Sequence, residues 1–426
     1  MHRRKRVLTL AATAVAALTA LTALTACGVP NDGATPDNGS GEKPTGTLQI
    51  AHWDFLAPKY GEEMQAIIKE YEDYNPNATI ETIGIIRADY ETKLKIQLSS
   101  GGGPDVFTMP DTFLPEVAQA GKLVPLDDVL TEATKETLNS TNEGGVWKDQ
   151  QVAVTWQIAP YAFLWNKDVL AAAGVEPPTT PEELVAAAKQ IKEVTGITGF
   201  AVRSRLAEET PWWIDFNNWP QGFGGGWSED GQLTIDSPEN IEAVAALKEV
   251  YDSGAFAVGD DASTFRTKFS EGQLGMMIDA TGSPPAMISE KVPSTSIMSS
   301  ALPFPEKGTS QVGIFFGINA GTPNKELAGD FMNWFLTKDA QQKISEIIGN
   351  TSTVATETTV DPAFLEANPW AQAYRDNGEF AHTSVIEGFE SVTPQIRHVV
   401  LSWIEKVLLE DLDPKEALKS AANELK

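Results

Sequence analysis

From Thr47 onward, apolar residues fall into short runs separated by longer stretches at helical spacing, a pattern that predicts sheets flanked by helices, an α/β architecture. Leu48 to Ala51 reads as a strand. Met64, Ile67, Ile68 and Tyr71 recur at helical spacing up to Asn75-Pro76, and Thr79 to Ile86 returns to strand composition, so the opening unit is strand, helix, strand. Asp89 is placed to cap the next helix, with Tyr90, Leu94 and Leu98 on one face and Gly101-Gly102-Gly103 at its end; Pro104 to Phe107 then begins another strand. Thr180-Pro181, Ser237-Pro238, Thr322-Pro323 and Asp413-Pro414 each set a capping side chain before a proline. Proline suits the first helical position because its missing amide hydrogen would be unpaired there anyway. Glu183 and Glu416, at the third helical position, complete capping boxes. No repeat of fixed period is present, which disfavours solenoids and propellers.

The first 45 residues follow a different rule. His2 to Arg6 is basic, and Val7 to Ala26 is an apolar run without a charge that ends in small residues, the anatomy of an export signal. A spanning helix of that length is the rival reading, but the run is rich in Ala and Thr and only mildly apolar. Leu24-Thr25-Ala26-Cys27 resembles a bacterial lipoprotein box, and Cys27 is the single cysteine of the chain. Residues 1–26 are therefore read as a signal peptide, and Cys27 as the lipidated first residue of a flexible tether, 27–45, rich in Gly, Pro, Asn and Asp. The eighteen residues after Cys27 reach ~20 to 25 Å, enough to hold a folded body just off the outer face of the cytoplasmic membrane.

Length and charge narrow the rest. At 426 residues the chain exceeds the size at which one hydrophobic core keeps growing, so two lobes are expected. Acids outnumber bases 59 to 32, a formal charge of −27, and loss of Arg3, Arg4, Lys5 and Arg6 with the signal takes it to −31. A surface this acidic repels nucleic acid and anionic lipid, leaving the lipid anchor as the only expected membrane contact. One thiol forms no intrachain disulfide.

Several segments in order resemble the extracellular solute-binding proteins of ATP-driven importers, in the carbohydrate-binding family typified by the maltose-binding protein. They are Gly103-Pro104-Asp105-Val106-Phe107, Leu123 to Asp127, Trp165 to Leu170 with Pro177-Pro178-Thr179 and Glu182-Glu183-Leu184, Phe269 to Met277, and above all GINAGTPNKELAGDFMNWFL, Gly317 to Leu336. The resemblance implies the type II periplasmic-binding-protein-like fold, two α/β lobes joined by crossing hinge strands with the ligand cleft between them. One lobe is expected at 46–158 plus 318–353, the other at 159–317 plus 354–426. It also implies a monomer that captures a mono- or oligosaccharide and delivers it to the permease subunits of an ABC transporter, with no cofactor.

A sugar needs planar aromatic surface for its ring faces and carboxylates, amides or guanidinium groups for its hydroxyls. His52-Trp53-Asp54 follows the first strand, where open α/β sheets place ligands, which nominates Trp53 and Asp54. By the resemblance Asp111 takes the place of a hydroxyl-binding aspartate, and Tyr161 stands beside the first crossing strand. The cluster Trp212 to Trp219, continuing through Phe223 to Trp227, has neither helical nor alternating periodicity and reads as a loop-borne wall. Within it Trp213 and Asp215 align with family ligand positions, and Trp227 is a further candidate. Asp279 is expected at a strand end facing the cleft, and Phe315, next to Phe316, at the second crossing. Arg397 and Gly282 stand near family tryptophan positions, a departure that points away from maltose and, through Arg397, toward an acidic or strongly hydrogen-bonding ligand.

Enzymatic readings find little to stand on. His52, His382 and His398 form no metal-binding spacing, no metal ligand is expected, and neither a G-x-S-x-G elbow nor a phosphate loop with lysine occurs. With so many carboxylates, acid pairs alone carry no information, so a surface-anchored glycoside hydrolase and a receptor for a non-sugar solute stand as the alternatives.

Overall fold

Neighbouring residues along the central strands enter different apolar clusters, and that alternation lays out the molecule. The computed structural model describes residues 43–56 and 61–426; the signal segment, Cys27 and residues 28–42 of the tether lie outside the described residues. The main strands are β1 Gly46–His52, β2 Ala78–Gly84, β3 Val106–Pro110, β4 Val154–Asn166, β5 Thr198–Ala201, β6 Leu274–Ala280, β7 Ile297–Ser300, β8 Thr309–Ile318 and β9 Ala381–His382. They run in the order β2-β1-β3-β8-β4-β6-β5, with β7 on β4 and β9 on β8.

In the first half, Leu48 and Ile50 of β1 join Met64, Phe331 and Phe335, while Ala51 joins Tyr90 and Phe107 in another cluster. In the second half, Phe163 and Trp165 of β4 pack with Leu184, Ile191 and Phe200, while Ala162 and Leu164 meet Phe265, Phe269 and Met277. Each half of the sheet is thus apolar on both faces and covered by helices on both, the arrangement its near-continuous apolar strands require.

β4 and β8 belong to both halves. β4 pairs antiparallel with β8 from Val154 to Pro160, then with β6 from Tyr161 to Trp165. Pro160 sits at the change of partner, where its missing amide hydrogen interrupts a ladder that is ending. The register between β8 and β4 shifts between Ile314 and Phe315, leaving Trp156 as the extra residue. That bulge sets Trp156 in the core, stacked on Phe335 at 5.4 Å between centroids. A third link is the pair of backbone bonds between Ile158 and Thr353, 2.7 and 2.9 Å.

Most helix boundaries fall where the caps place them. Thr180, Ser237 and Asp413 accept from the amides of Glu183, Asn240 and Glu416, and the helices begin at the following prolines. Glu183 closes its box one residue early, accepting from the Thr179 amide and hydroxyl at 2.8 Å each. Two expectations fail. Asp89 adopts helical angles and makes no cap bond, and its carboxylate pairs instead with Lys93 at 3.3 Å. Thr322 does not cap either: the helix starts at Lys325, and the Thr322 hydroxyl accepts the Asn324 amide at 2.9 Å in the preceding turn while donating to the buried Asp105 carboxylate, which also accepts the Gln49 amide at 2.7 Å.

The largest correction concerns the tryptophan cluster, which is not a loop. Glu209–Phe216 and Asn218–Gly222 are helices, and Trp212, Trp213, Phe216 and Trp219 are each at most 1% exposed. The solvent side of the first helix includes Thr210, Pro211 and the half-buried Ile214, while Asp215 faces inward, so the clean polar face that periodicity detects is missing.

Candidate ligand cleft

β3 ends at Pro110, and the turn that follows sets Asp111 between the two halves. Its amide donates to the Gly313 carbonyl of β8 at 3.0 Å. Its Oδ1 accepts the Thr112 amide at 2.7 Å, and its Oδ2 accepts the Thr383 hydroxyl at 2.8 Å, a bond from the far end of the chain. Gly313 makes this close approach possible, since a Cβ there would stand 3.1 Å from Asp111 Oδ2. Asp111 is 8% exposed. Burial raises its pKa to about 6, only partly opposed by the bonds from Thr383, Thr112 and Gly313.

Around Asp111 lies a cavity of about 740 Å³. The first half contributes Leu114, Glu143 and Trp147 along with Asp111. Glu379, His382, Glu387 and Glu390 come from the second half, and Ile158, Gln311 and Phe315 from the crossing strands. The lining pairs two aromatic rings with several carboxylates, the mixture that hydroxylated rings require. Burial lowers the pKa of His382 below its ordinary value of 6.5, so its imidazole is neutral at pH 7. A second hollow of about 660 Å³, bounded by Phe304 to Thr309 and Pro369 to Phe380, touches only the second half. A ligand there gains nothing from approach of the halves, whereas one in the larger cavity does.

Of the residues nominated from sequence, Asp111 and Phe315 line this cavity. Trp53 stands edge-on to Tyr90 at 4.9 Å, with the Arg87 guanidinium 4.8 Å from its ring centroid. The Asp54 amide donates to His52 Nδ1 at 2.8 Å. Burial, helped by the positive charge of Arg87, lowers the His52 pKa to about 3, while burial raises Asp54 to about 6 against that same charge. Both candidates therefore belong to the carboxyl end of β1 and do not line the cavity.

Tyr161, Asp215 and Asp279 enter a buried ionic cluster in the second half. The Tyr161 hydroxyl donates to Asp215 at 2.5 Å, Arg203 donates to the same carboxylate at 2.6 Å, and Arg266 grips Asp279 with two bonds of 2.7 Å. Burial raises the Asp215 pKa, with repulsion from Asp279 adding to it and Arg203 pulling the other way. Trp213 and Trp227 stack on one another at 4.9 Å; their indole hydrogens go to the Ser384 carbonyl at 2.8 Å and Asn217 Oδ1 at 2.6 Å. Arg397 donates to Glu209 at 3.0 Å, and His398 meets the same carboxylate at 2.8 Å. Its charge is neutralised within one half, so the acidic ligand expected from Arg397 loses its basis. Trp147, His382 and the four glutamates of the cavity were not nominated, because carboxylates in polar turns look like any solvated surface.

The profile described as bacterial extracellular solute-binding protein matches residues 57–342. A maltotriose-binding protein of Pyrococcus abyssi is 24% identical over 322 residues, which is 70% of this chain and 64% of that one. An sn-glycerol-3-phosphate-binding periplasmic protein of Rhizobium meliloti is 27% identical over 282 residues, 60% and 63%. The chain thus spans under two thirds of the length of these curated relatives. Among solved structures, a cyclic alpha-maltosyl-1,6-maltose binding protein from Arthrobacter globiformis aligns with a TM-score of 0.78 at 20% identity, covering 89% of this chain and 97% of that one. A substrate-binding protein from Listeria monocytogenes in complex with cycloalternan aligns with a TM-score of 0.71 at 22% identity, covering 90% and 98%. These likenesses establish the two-lobed α/β fold.

Proposed function

The chain belongs to the bacterial extracellular solute-binding proteins, a family of extracytoplasmic binding proteins rather than enzymes, and from that premise we propose that it captures a mono- or oligosaccharide and hands it to the permease of an ABC importer. The observation that carries this reading is the cavity lined from both halves, where Trp147 and Phe315 offer faces for sugar rings and Asp111 and its neighbouring glutamates offer acceptors for hydroxyls. A solute that touches both halves only when they approach supplies the bias toward the closed state. In this reading the lobes are 46–158 plus 318–353 and 159–317 plus 354–426, the protein works as a monomer, and it breaks no bond. The printed name of the Pyrococcus relative supports a saccharide. The phosphate ester named for the Rhizobium relative fits poorly, because among the described residues no Lys or Arg lines this cavity.

The reading extends to the N-terminus: residues 1–26 direct export, and Cys27 carries the lipid that holds the receptor at the outer face of the cytoplasmic membrane. Among the described residues no helix is long and apolar enough to cross a membrane. Cys27→Ser should release the protein into the medium; continued retention in the membrane fraction would overturn lipid anchoring. Calorimetric titration with neutral and charged saccharides, with the sugars analysed afterwards, tests the function. Saturable heat with unchanged sugar supports the receptor, and cleaved sugar would mean a glycoside hydrolase.

A further inference from the structure

The charges around the cavity are of one sign. Among the described residues Asp111, Glu143, Glu379, Glu387 and Glu390 line it and no Lys or Arg does, and the pKa of the histidine there, His382, is lowered below its ordinary 6.5 by desolvation. None of the five carboxylates takes part in an ion pair among the described residues; Asp111 has only neutral donors at its oxygens, the Thr383 hydroxyl and backbone amides, and Glu390 has the Gly388 amide at 2.8 Å. In the second half the buried Asp215 and Asp279 each receive a guanidinium. Asp111, 8% exposed, receives none among the described residues and, like the buried Asp105, is held by neutral donors. Among the described residues the lining carries negative charge and no positive one, so a ligand that brings a cation is the electrostatic complement of this wall.

Two further features say what kind of charge that is. The carboxylates are dispersed: among the described residues no three His, Cys, Asp or Glu side chains are arranged to hold a metal ion, so a compact divalent cation is the wrong shape. The space between them is lined by Trp147 and Phe315, and the Trp147 ring already meets an ammonium, that of its neighbour Lys148, at 5.7 Å. Aromatic faces take both sugar rings and organic cations.

Resting on the saccharide reading above, we propose that the physiological ligand is an amine-bearing saccharide whose protonated amino groups are met by Asp111 and the cavity glutamates. Each ammonium brings donors and no acceptors, the complement of a wall made of carboxylates, and the charge-assisted bonds it forms are about twice as strong as those of a hydroxyl. The same wall repels uronic acids and phosphorylated sugars.

The test compares three ligands of one length by calorimetry at about pH 6 and low salt: a glucosamine trimer, its fully N-acetylated counterpart and maltotriose. The amine trimer should bind at least ~10-fold more tightly than either, an advantage that shrinks as salt is raised toward ~0.5 M. Glu143→Gln combined with Glu387→Gln, both at exposed positions, should narrow the ratio between amine and acetylated trimers several-fold. Equal or weaker binding of the amine trimer, or an advantage insensitive to both salt and the double substitution, overturns the amine assignment while neutral-sugar binding upholds the receptor. Failure of every saccharide to bind would instead remove the saccharide reading on which the proposal rests.

Discussion

Asp111→Asn isolates what an unpaired buried carboxylate costs this protein and what it contributes to binding. Asparagine keeps the shape and the acceptor for the Thr112 amide or Thr383 hydroxyl, and it removes the charge. Burial raises the Asp111 pKa from 3.8 to about 6. Two units correspond to roughly 3 kcal/mol, because each is worth ~1.4 kcal/mol of difference between the two protonation states. The sign follows from linkage. A carboxyl whose pKa is raised on folding holds its proton in the native state after the unfolded chain has released it. Stability is therefore unaffected below the unfolded pKa near 3.8, falls as the pH rises, and reaches its full loss above 6. Asp111→Asn should match the parent at about pH 4 and exceed it at pH 7.5 by roughly 3 kcal/mol. For a folded body of ~380 residues, with unfolding entropy near 2 cal/mol/K per residue, that is ~4 °C in Tm. Differential scanning calorimetry across this pH range reads the gap directly. A Tm difference independent of pH, or a variant less stable at pH 7.5, would refute the reasoning. The same variant should bind saccharide ~10-fold or more weakly, since it gives up a charge-assisted bond.

Three further substitutions probe the frame around the cleft. Arg266→Met leaves the Asp279 carboxylate buried without its bidentate partner and should cost ~3 to 5 kcal/mol in urea unfolding, with much of it recovered by adding Asp279→Leu; a loss below ~1 kcal/mol would mean the pair is not buried as a unit. Trp213→Ala empties a fully buried site and frees the Ser384 carbonyl, so stability should drop by ~3 to 5 kcal/mol; weakened ligand binding with intact stability would put the ring in the cleft instead. Thr383→Val removes the hydroxyl that reaches Asp111 from the other half and, at ~1 kcal/mol for one hydrogen bond, should shift the unliganded population toward an open form about five-fold, read as an increase in radius of gyration by small-angle X-ray scattering. An unchanged radius would show that this bond does not hold the halves together.

How far the chain could be read in advance depends on how local the governing interaction is. Thr180, Ser237 and Asp413 cap helices with their own next turns, so the boundaries they set were visible. Asp89 and Thr322 look the same in sequence, yet Thr322 is claimed by Asp105, 217 positions away, and its helix begins later. The Trp212 to Trp219 segment fails for a different reason. Periodicity reports a contrast between polar wet faces and apolar dry ones, and here Pro211 and Ile214 lie on the wetter side while Asp215 and Asn218 are buried, so the contrast is blurred. The crossing strands were placed correctly in order, but nothing local announces that β4 exchanges partners at Pro160 or bulges at Trp156.

The cleft itself is the least local feature, and its charge could not have been summed from the sequence. Arg397 suggested a positive site, but its partner Glu209 lies 188 positions earlier and cancels it. Asp215 and Asp279 suggested a negative one, but Arg203 and Arg266 neutralise them inside the second half. The carboxylates left uncompensated at the cavity come from turns near 111 and 143 and from the 379–390 segment, brought together only when both halves are built. A formal charge of −27 spread over the whole chain says nothing about which carboxylates keep their charge without a partner. That distinction decides ligand class, because a paired carboxylate presents a screened surface while an unpaired buried one demands a donor. The residues that best discriminate among solutes are therefore those whose counter-charges are absent, and they can be recognised only after every ion pair in the fold has been assigned.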